Sequence, residues 1–235
     1  MVKSRLIMRR FIGIMIGLMS IFALVLGYFY LPSLITSATK FSRLRAWFAD
    51  PKSHPELSIS AGTQCADAPF ILPTTGYIGF GYGDSFRPTH RHQGLDIFGP
   101  DALNQTPVIA AYDGYLTRQE SWLSTVIIRI PRDPLQPSRQ IWAYYTHLAD
   151  QNGNSFVSPQ FPKGVTEKFV KAGTLLGYQG NYSGDPDSPV GMHLHFSIVQ
   201  SNDDGTYKNE LKIENTHDPN PYLGLVEKDG VWQCK

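Results

Sequence analysis

Beyond residue 60 the chain carries no long helical pattern; its apolar residues come in short runs cut by Gly, Pro, Asn and Asp. Pro107 to Ala111 runs into Asp113-Gly114 and then Tyr115 to Arg118. Thr125 to Ile130 and Gln140 to Tyr145 are placed to pair across the Pro-rich link Pro131 to Pro137, and His193 to Gln200 closes the set. A doubly wound parallel sheet needs helices alternating with its strands, so this pattern excludes it. It predicts a mainly β fold, an antiparallel β-sheet domain over residues 61–235. A length of 235 residues leaves room for one such domain and an accessory segment. No internal repeat or low-complexity tract is present, and a net charge of +1 makes no case for nucleic acid as a partner.

The accessory segment lies at the amino terminus. From Phe11 to Leu31 the residues are almost all apolar and none is charged, with Lys3, Arg5, Arg9 and Arg10 before them. A bilayer is crossed by about 20 apolar residues in a helix, so residues 11–31 are predicted to span a membrane, residues 1–10 to be cytoplasmic and the remainder to lie outside. Lys40, Arg43 and Arg45 weaken that charge asymmetry. A cleavable signal peptide is the rival, but its apolar core is usually about 7–15 residues and Ser37-Ala38-Thr39 matches a cleavage site poorly. Residues 32–60 read as a juxtamembrane linker. In it Phe41, Leu44, Trp47 and Phe48 recur at helical spacing, as suits either a short helix on the lipid surface or one packed on the following domain. Asp50-Pro51, Ser53-His54-Pro55 and Ala61-Gly62 place the domain boundary between residues 51 and 64.

Cys65 and Cys234 flank the domain almost end to end. Outside the membrane disulfides persist, and neither cysteine has a second one nearby as a metal-binding pair would. They are expected to join, closing a loop worth up to about 5 kcal/mol in the chain-entropy treatment, and so to bring the two ends of the domain together.

The chemistry concentrates in two clusters. In His193-Leu194-His195 the following Phe196, Ile198 and Val199 favour a strand, where residues two apart share a face. In His92-Gln93-Gly94-Leu95-Asp96 the glycine and the nearby Gly99-Pro100 favour a turn leading into a short strand over a helix. Catalytic zinc takes three protein ligands and keeps a fourth position for a water whose pKa falls to about 7; two His and one Asp fit that shell. His90, two residues before His92, is a rival ligand. His54 and His217 have no motif around them and read as structural or exposed.

Further pieces occur in a fixed order. After His92-Gln93-Gly94-Leu95-Asp96-Ile97 come Pro107-Val108-Ile109-Ala110-Ala111 with Asp113-Gly114, then Tyr145-Thr146-His147-Leu148. Val170-Lys171-Ala172-Gly173 with Leu176-Gly177 follows, and Gly191-Met192-His193-Leu194-His195-Phe196 ends the series. Together they resemble the M23 metallopeptidases, the lysostaphin-like, LytM-type group of peptidoglycan endopeptidases. That resemblance implies a central β-sheet with a loop-rimmed groove across one face. It implies one zinc ion per chain on His92, Asp96 and His195, with His193 and His147 beside the metal without being ligands. No His-Glu-x-x-His helix is present to supply a glutamate base. A histidine is then the natural base, His193 for taking the water's proton and His147 for orienting water or stabilising the oxyanion.

The implied protein is a bacterial, single-pass inner-membrane hydrolase whose domain faces the periplasm or cell wall and cuts peptide cross-links of peptidoglycan. A noncatalytic relative that binds wall or activates a hydrolase, and a secreted protease acting on proteins, are the alternatives. The sequence departs from the group's pattern in a long stretch from Ala149 to Thr166, expected to loop over the groove, and in Gly180 to Asp187. Tyr178 and Tyr182 are candidates to touch a bound peptide, while Asp218-Pro219 and Pro221-Tyr222-Leu223 read as a structural closing segment.

Overall fold

The computed structural model describes residues 15, 19, 20, 22, 24, 25, 28, 39–85 and 90–235. Two compact units divide the chain, Met1–Arg45 and Ala46–Lys235. In the first, Met15, Met19, Phe22, Leu24, Val25 and Tyr28 are helical and exposed. Most of the span expected over residues 11–31 lies outside the described residues, and among those described no helix is long and apolar enough to cross a membrane.

A helix, α1, covers residues 39–49. Its last turn belongs to the second unit, where Trp47 is buried 6.1 Å from the Tyr77 ring and Phe48 meets Phe98 edge-on at 5.1 Å. The end of this helix therefore packs on the sheet domain, and residues 46–60, expected as linker, contribute to that domain.

Among the described residues thirteen strands follow: β1 Ser58–Ile59, β2 Gly76–Phe80, β3 Leu95–Phe98, β4 Pro107–Ile109, β5 Gly114–Thr117, β6 Val126–Ile130, β7 Ile141–Thr146, β8 Lys168–Val170, β9 Leu175–Tyr178, β10 Leu194–Gln200, β11 Thr216–His217, β12 Leu225–Lys228 and β13 Val231–Cys234. Nine form one sheet in the order β1-β2-β3-β10-β7-β6-β5-β8, with β11 beside β10, and every pairing is antiparallel. The pairing expected across the Pro-rich link is present as β6–β7, closing at Ile130↔Ile141. Val108 and its neighbours in β4, by contrast, pair with β9 in a separate ribbon instead of continuing into β5. Beyond residue 60 the single α-helix among the described residues is α2, Asn220–Leu223.

The alternation of side chains along strands divides the sheet into two faces. Leu194, Phe196 and Ile198 of β10 join Ile141, Ala143 and Tyr145 of β7 and Val126, Ile128 and Ile130 of β6 in the main core, with Phe70, Leu72, Phe161 and Leu176 covering them. Burying each such side chain stabilises the fold by about 1.5–3 kcal/mol, so a slip of one residue in β10, which would turn the whole set outward, is strongly disfavoured. The opposite face carries His195, Ser197 and Val199, opposed by Thr146, Tyr144 and Trp142 of β7. This is the face that bears the site.

The domain's ends meet. Cys65 and Cys234 form a disulfide with Cα atoms 5.1 Å apart. The stretch from Ala149 to Thr166, expected over the groove, is instead tied to the core: Val157 and Phe161 are buried and the Phe161 carbonyl accepts from Arg118 Nη1 at 2.9 Å.

Candidate metal centre

The site begins with strand register. His195 lies opposite Asp96 of β3 on one side and opposite Thr146 of β7 on the other, so one strand position faces both neighbours. His92 reaches the same point from the loop before β3, which is held by the amides of His92 and Gly83 donating to Asp84 O and His92 O, each at 2.8 Å. The intervening Gly94 allows this: a Cβ there would sit 2.3 Å from the Phe196 carbonyl oxygen of β10. His193 is placed one residue before β10, where its amide donates to Gly180 O at 3.2 Å. Gly180 is itself pressed on Ala149, whose carbonyl oxygen would lie 2.0 Å from an added Cβ.

Three ligand-type atoms converge. Asp96 Oδ1 is 3.0 Å from His92 Nε2 and 2.8 Å from His195 Nδ1, and the two nitrogens are 3.1 Å apart. His193 Nε2 stands back at 3.4 Å from the same oxygen. His147 stacks obliquely on His193 with ring centroids 4.5 Å apart, and its ring is 6.3 Å from that of His195. His147 has a φ of +70°, an uncommon conformation for a residue other than glycine, which turns the chain sharply at the end of β7. Among the described residues His92, Asp96 and His195 form the group able to hold a metal ion. His90 lines the same cleft but does not join that group. His54 lies by Glu56 on the surface, and His217 sits in β11, lining a separate cavity with Arg139.

Backbone carbonyls and a carboxylate set which nitrogen of each histidine faces inward. A carbonyl accepts only, so Nδ1 of His92, 3.0 Å from Gly81 O, bears its proton and Nε2 points at the site. The same logic holds for His193, whose Nδ1 donates to Gly191 O at 2.6 Å, and for His147, whose Nδ1 donates to Tyr182 O at 2.6 Å. His195 is turned the other way: its Nε2 donates to Glu210 Oε1 at 2.8 Å and its Nδ1 faces Asp96. Glu210, which also accepts from Ser197 Oγ at 3.2 Å, belongs to no motif and went unrecognised in the sequence. Only its acidity and its place soon after the β10 strand were available as signals.

The electrostatics follow from this packing. Burial pushes the Asp96 carboxyl up, but the neighbouring His193 and hydrogen bonds from His193, His195 and His92 outweigh it and hold the group well below its ordinary range. Burial and the neighbouring His193 and His195 bring His147 down to about 3, leaving it neutral at pH 7. For His195 burial works against protonation, yet Glu210 and Asp96 push it up to about 10. Two imidazole nitrogens and a carboxylate oxygen aimed at one point suit zinc, which accepts these donors. The proton on His195 Nδ1 is what a cation there has to displace.

The cleft over the site has a volume of about 440 Å³. Tyr182, Ser183, Gly184 and Val190 rim one part of it and Gln93, Glu210 and Leu211 another, while Thr125, Tyr144 and Thr146 lie along the sheet. No residue between Ala149 and Thr166 lines it, and of the two candidate tyrosines Tyr182 does while Tyr178 does not.

No family model and no curated protein matches the sequence. Solved structures similar to the chain include the catalytic domain of the antimicrobial peptidase lysostaphin from Staphylococcus simulans, at 20% identity over 61% of this chain and 89% of that one, with a TM-score of 0.40. A putative peptidase M23 from Pseudomonas aeruginosa is 18% identical over 78% of this chain and 61% of its own, with a TM-score of 0.37. A putative glycyl-glycine endopeptidase lytM from Ruminococcus gnavus is 21% identical over 67% and 59%, with a TM-score of 0.38.

Proposed function

We propose that this protein is an M23-type zinc endopeptidase that hydrolyses peptide cross-links of peptidoglycan. The observation that carries the reading is the meeting of His92 Nε2, Asp96 Oδ1 and His195 Nδ1 on the floor of an open cleft, with His193 and His147 beside them. Zinc on these three residues supplies Lewis acidity toward a peptide carbonyl and lowers the pKa of water to about 7. His193, its Nδ1 proton committed to Gly191 O, offers the Nε2 lone pair as the base that takes a proton from the attacking water and passes it to the leaving amine nitrogen. His147 is neutral and likewise committed at Nδ1, so its Nε2 accepts a hydrogen bond from that water and orients it. In that form it has no proton to give an oxyanion, which supports the orienting role over the other. Thr125 and Thr146 hydroxyls, 2.7 Å apart along the cleft, are placed to meet polar groups of a bound peptide.

The uncharged apolar run over residues 11–31, preceded by four basic residues, supports a single-pass anchor that leaves the domain outside the cytoplasmic membrane of a bacterium. A paired Cys65 and Cys234 suits that oxidising side.

The test is digestion of purified peptidoglycan by the full chain in detergent, with zinc and with a chelator, followed by mass analysis of the fragments. Uncross-linked monomers released only with zinc are expected. A zinc-loaded wild type as inert as His195→Ala would overturn the enzyme reading.

A further inference from the structure

We infer that Glu210 is a positioning residue for the metal centre, holding the His195 imidazole so that Nδ1, and not Nε2, is presented as the ligand. The inference rests on the zinc reading of the site, but it concerns this chain's own residues and is read out by metal binding.

An unrestrained histidine can offer either nitrogen, and the choice is set by the hydrogen bond the other one makes. For His92, His193 and His147 that bond goes to backbone carbonyls fixed by the local chain. His195 has no such carbonyl. It projects from the second residue of β10, where its backbone is paired on both sides, and the group that meets its Nε2 is the Glu210 carboxylate at 2.8 Å.

Glu210 is not a surface acid that happens to touch a histidine. Its side chain is 11% exposed, and Oε1 also receives the Ser197 hydroxyl, two residues further along the same face of β10. The segment that carries it is fastened on both sides. Before it, Lys208 N donates to Gln200 O at 2.9 Å and the Tyr207 ring packs on Trp142 at 5.4 Å. After it, Gln93 Nε2 donates to Leu211 O at 2.8 Å, which ties the segment to the loop between His92 and Asp96. The connection after β10 thus folds back over the sheet and delivers one carboxylate to one imidazole. Such a partner fixes the ring and raises the basicity of the ligating nitrogen, and its loss typically weakens a metal site by about 10–100-fold.

The experiment measures the zinc affinity of the full chain in detergent by competition with a chromophoric chelator, for wild type, Glu210→Ala, Glu210→Gln and Ser197→Ala. Glu210→Ala is expected to raise the zinc Kd about 10–100-fold. Glu210→Gln, whose amide oxygen still accepts from Nε2, should recover most of that loss, and Ser197→Ala, which leaves the His195 contact in place, should stay near wild type. An unchanged Kd in Glu210→Ala overturns the inference while leaving the zinc reading intact; a wild type that takes up no zinc overturns both. Imidazole nitrogen NMR of the zinc-loaded wild type decides independently of whether Glu210→Ala folds. A proton on His195 Nε2 with Nδ1 shifted by the metal is expected, and ligation through Nε2 would overturn the inference.

Discussion

At the scale of single residues, the two histidines of the His193-Leu194-His195 run differ in what they touch. His195 faces Asp96 Oδ1 at 2.8 Å and His92 Nε2 at 3.1 Å, whereas His193 stands at 3.4 Å from the carboxylate and stacks with His147. His195→Ala should therefore lose zinc, while His193→Ala should keep about one zinc per chain and lose about 10²–10⁴-fold in kcat, as expected on removing a general base. Metal analysis of the purified variants beside turnover measurements separates the two. The sign of the pH dependence also follows from His195. Its pKa of about 10 means that a proton occupies Nδ1 throughout the neutral range, and zinc has to expel it. Apparent zinc affinity should rise with pH, about tenfold per unit from this group alone, and fall on acidification. Chelator competition at pH 6, 7 and 8 checks it; an affinity flat across that range would contradict the protonated His195. His92, Asp96, His147, His193 and His195 could be picked out because each lies in a short run that carries the family resemblance, and that resemblance alone implied which of them would hold a metal. Glu210 could not, because its partner is 15 residues away in sequence and the loop between them has no pattern that foretells where it folds.

At the scale of elements, legibility followed the strength of local alternation. The β6–β7 pair is rich in β-branched and aromatic residues and was readable as a pair across its Pro-rich link. β2, Gly-Tyr-Ile-Gly-Phe, was not singled out, since two glycines dilute its strand signal. The partner of β4 depends on contacts with β9, more than sixty residues away, which no local pattern encodes. The link between β6 and β7 gives a test of how its ends are secured. Asp133, fully buried, accepts from Arg139 Nε at 2.5 Å and from the Tyr222 hydroxyl of α2 at 2.8 Å. Burial raises this carboxyl, but Arg139, the Leu135 amide and Tyr222 outweigh it and leave it below its ordinary value. A depressed carboxyl contributes stability that is present above the unfolded value of 3.8 and lost as pH falls through the lower folded one. Tyr222→Phe removes the hydrogen bond to this buried carboxylate, and with it the one the hydroxyl accepts from Arg139 Nη2 at 3.0 Å, so it should cost at least about 1.5–3 kcal/mol at pH 7. Urea unfolding should show a lower midpoint at unchanged slope, and the deficit should shrink as the pH is lowered toward protonation of Asp133.

At the scale of the whole molecule, the domain starts earlier than its composition suggests. Pro and Gly between residues 50 and 62 read as a boundary, yet Trp47, Leu57 and Ile59 are all buried in the unit that begins at Ala46. Local turn chemistry marks where the chain bends and not where burial stops, and here the bends lie inside the domain as two short 3₁₀ turns, Pro51–Ser53 and Pro55–Leu57. A fragment of residues 61–235 loses three things at once: the Trp47 side chain against Tyr77, strand β1 against β2, and Phe48 against Phe98. The first alone is worth about 3–5 kcal/mol by comparison with truncation of a buried tryptophan. Losing β1 leaves the Tyr77 edge of β2 unpaired, a template for association with a second chain. The third reaches the site, because the Phe98 ring lies 5.0 Å from that of His193 and forms its backing. The fragment of residues 46–235 should then unfold at a clearly higher urea concentration than that of residues 61–235 and remain monomeric where the shorter one associates. Equal midpoints by circular dichroism and equal sedimentation would place residues 46–60 outside the cooperative unit and return them to the role of a linker.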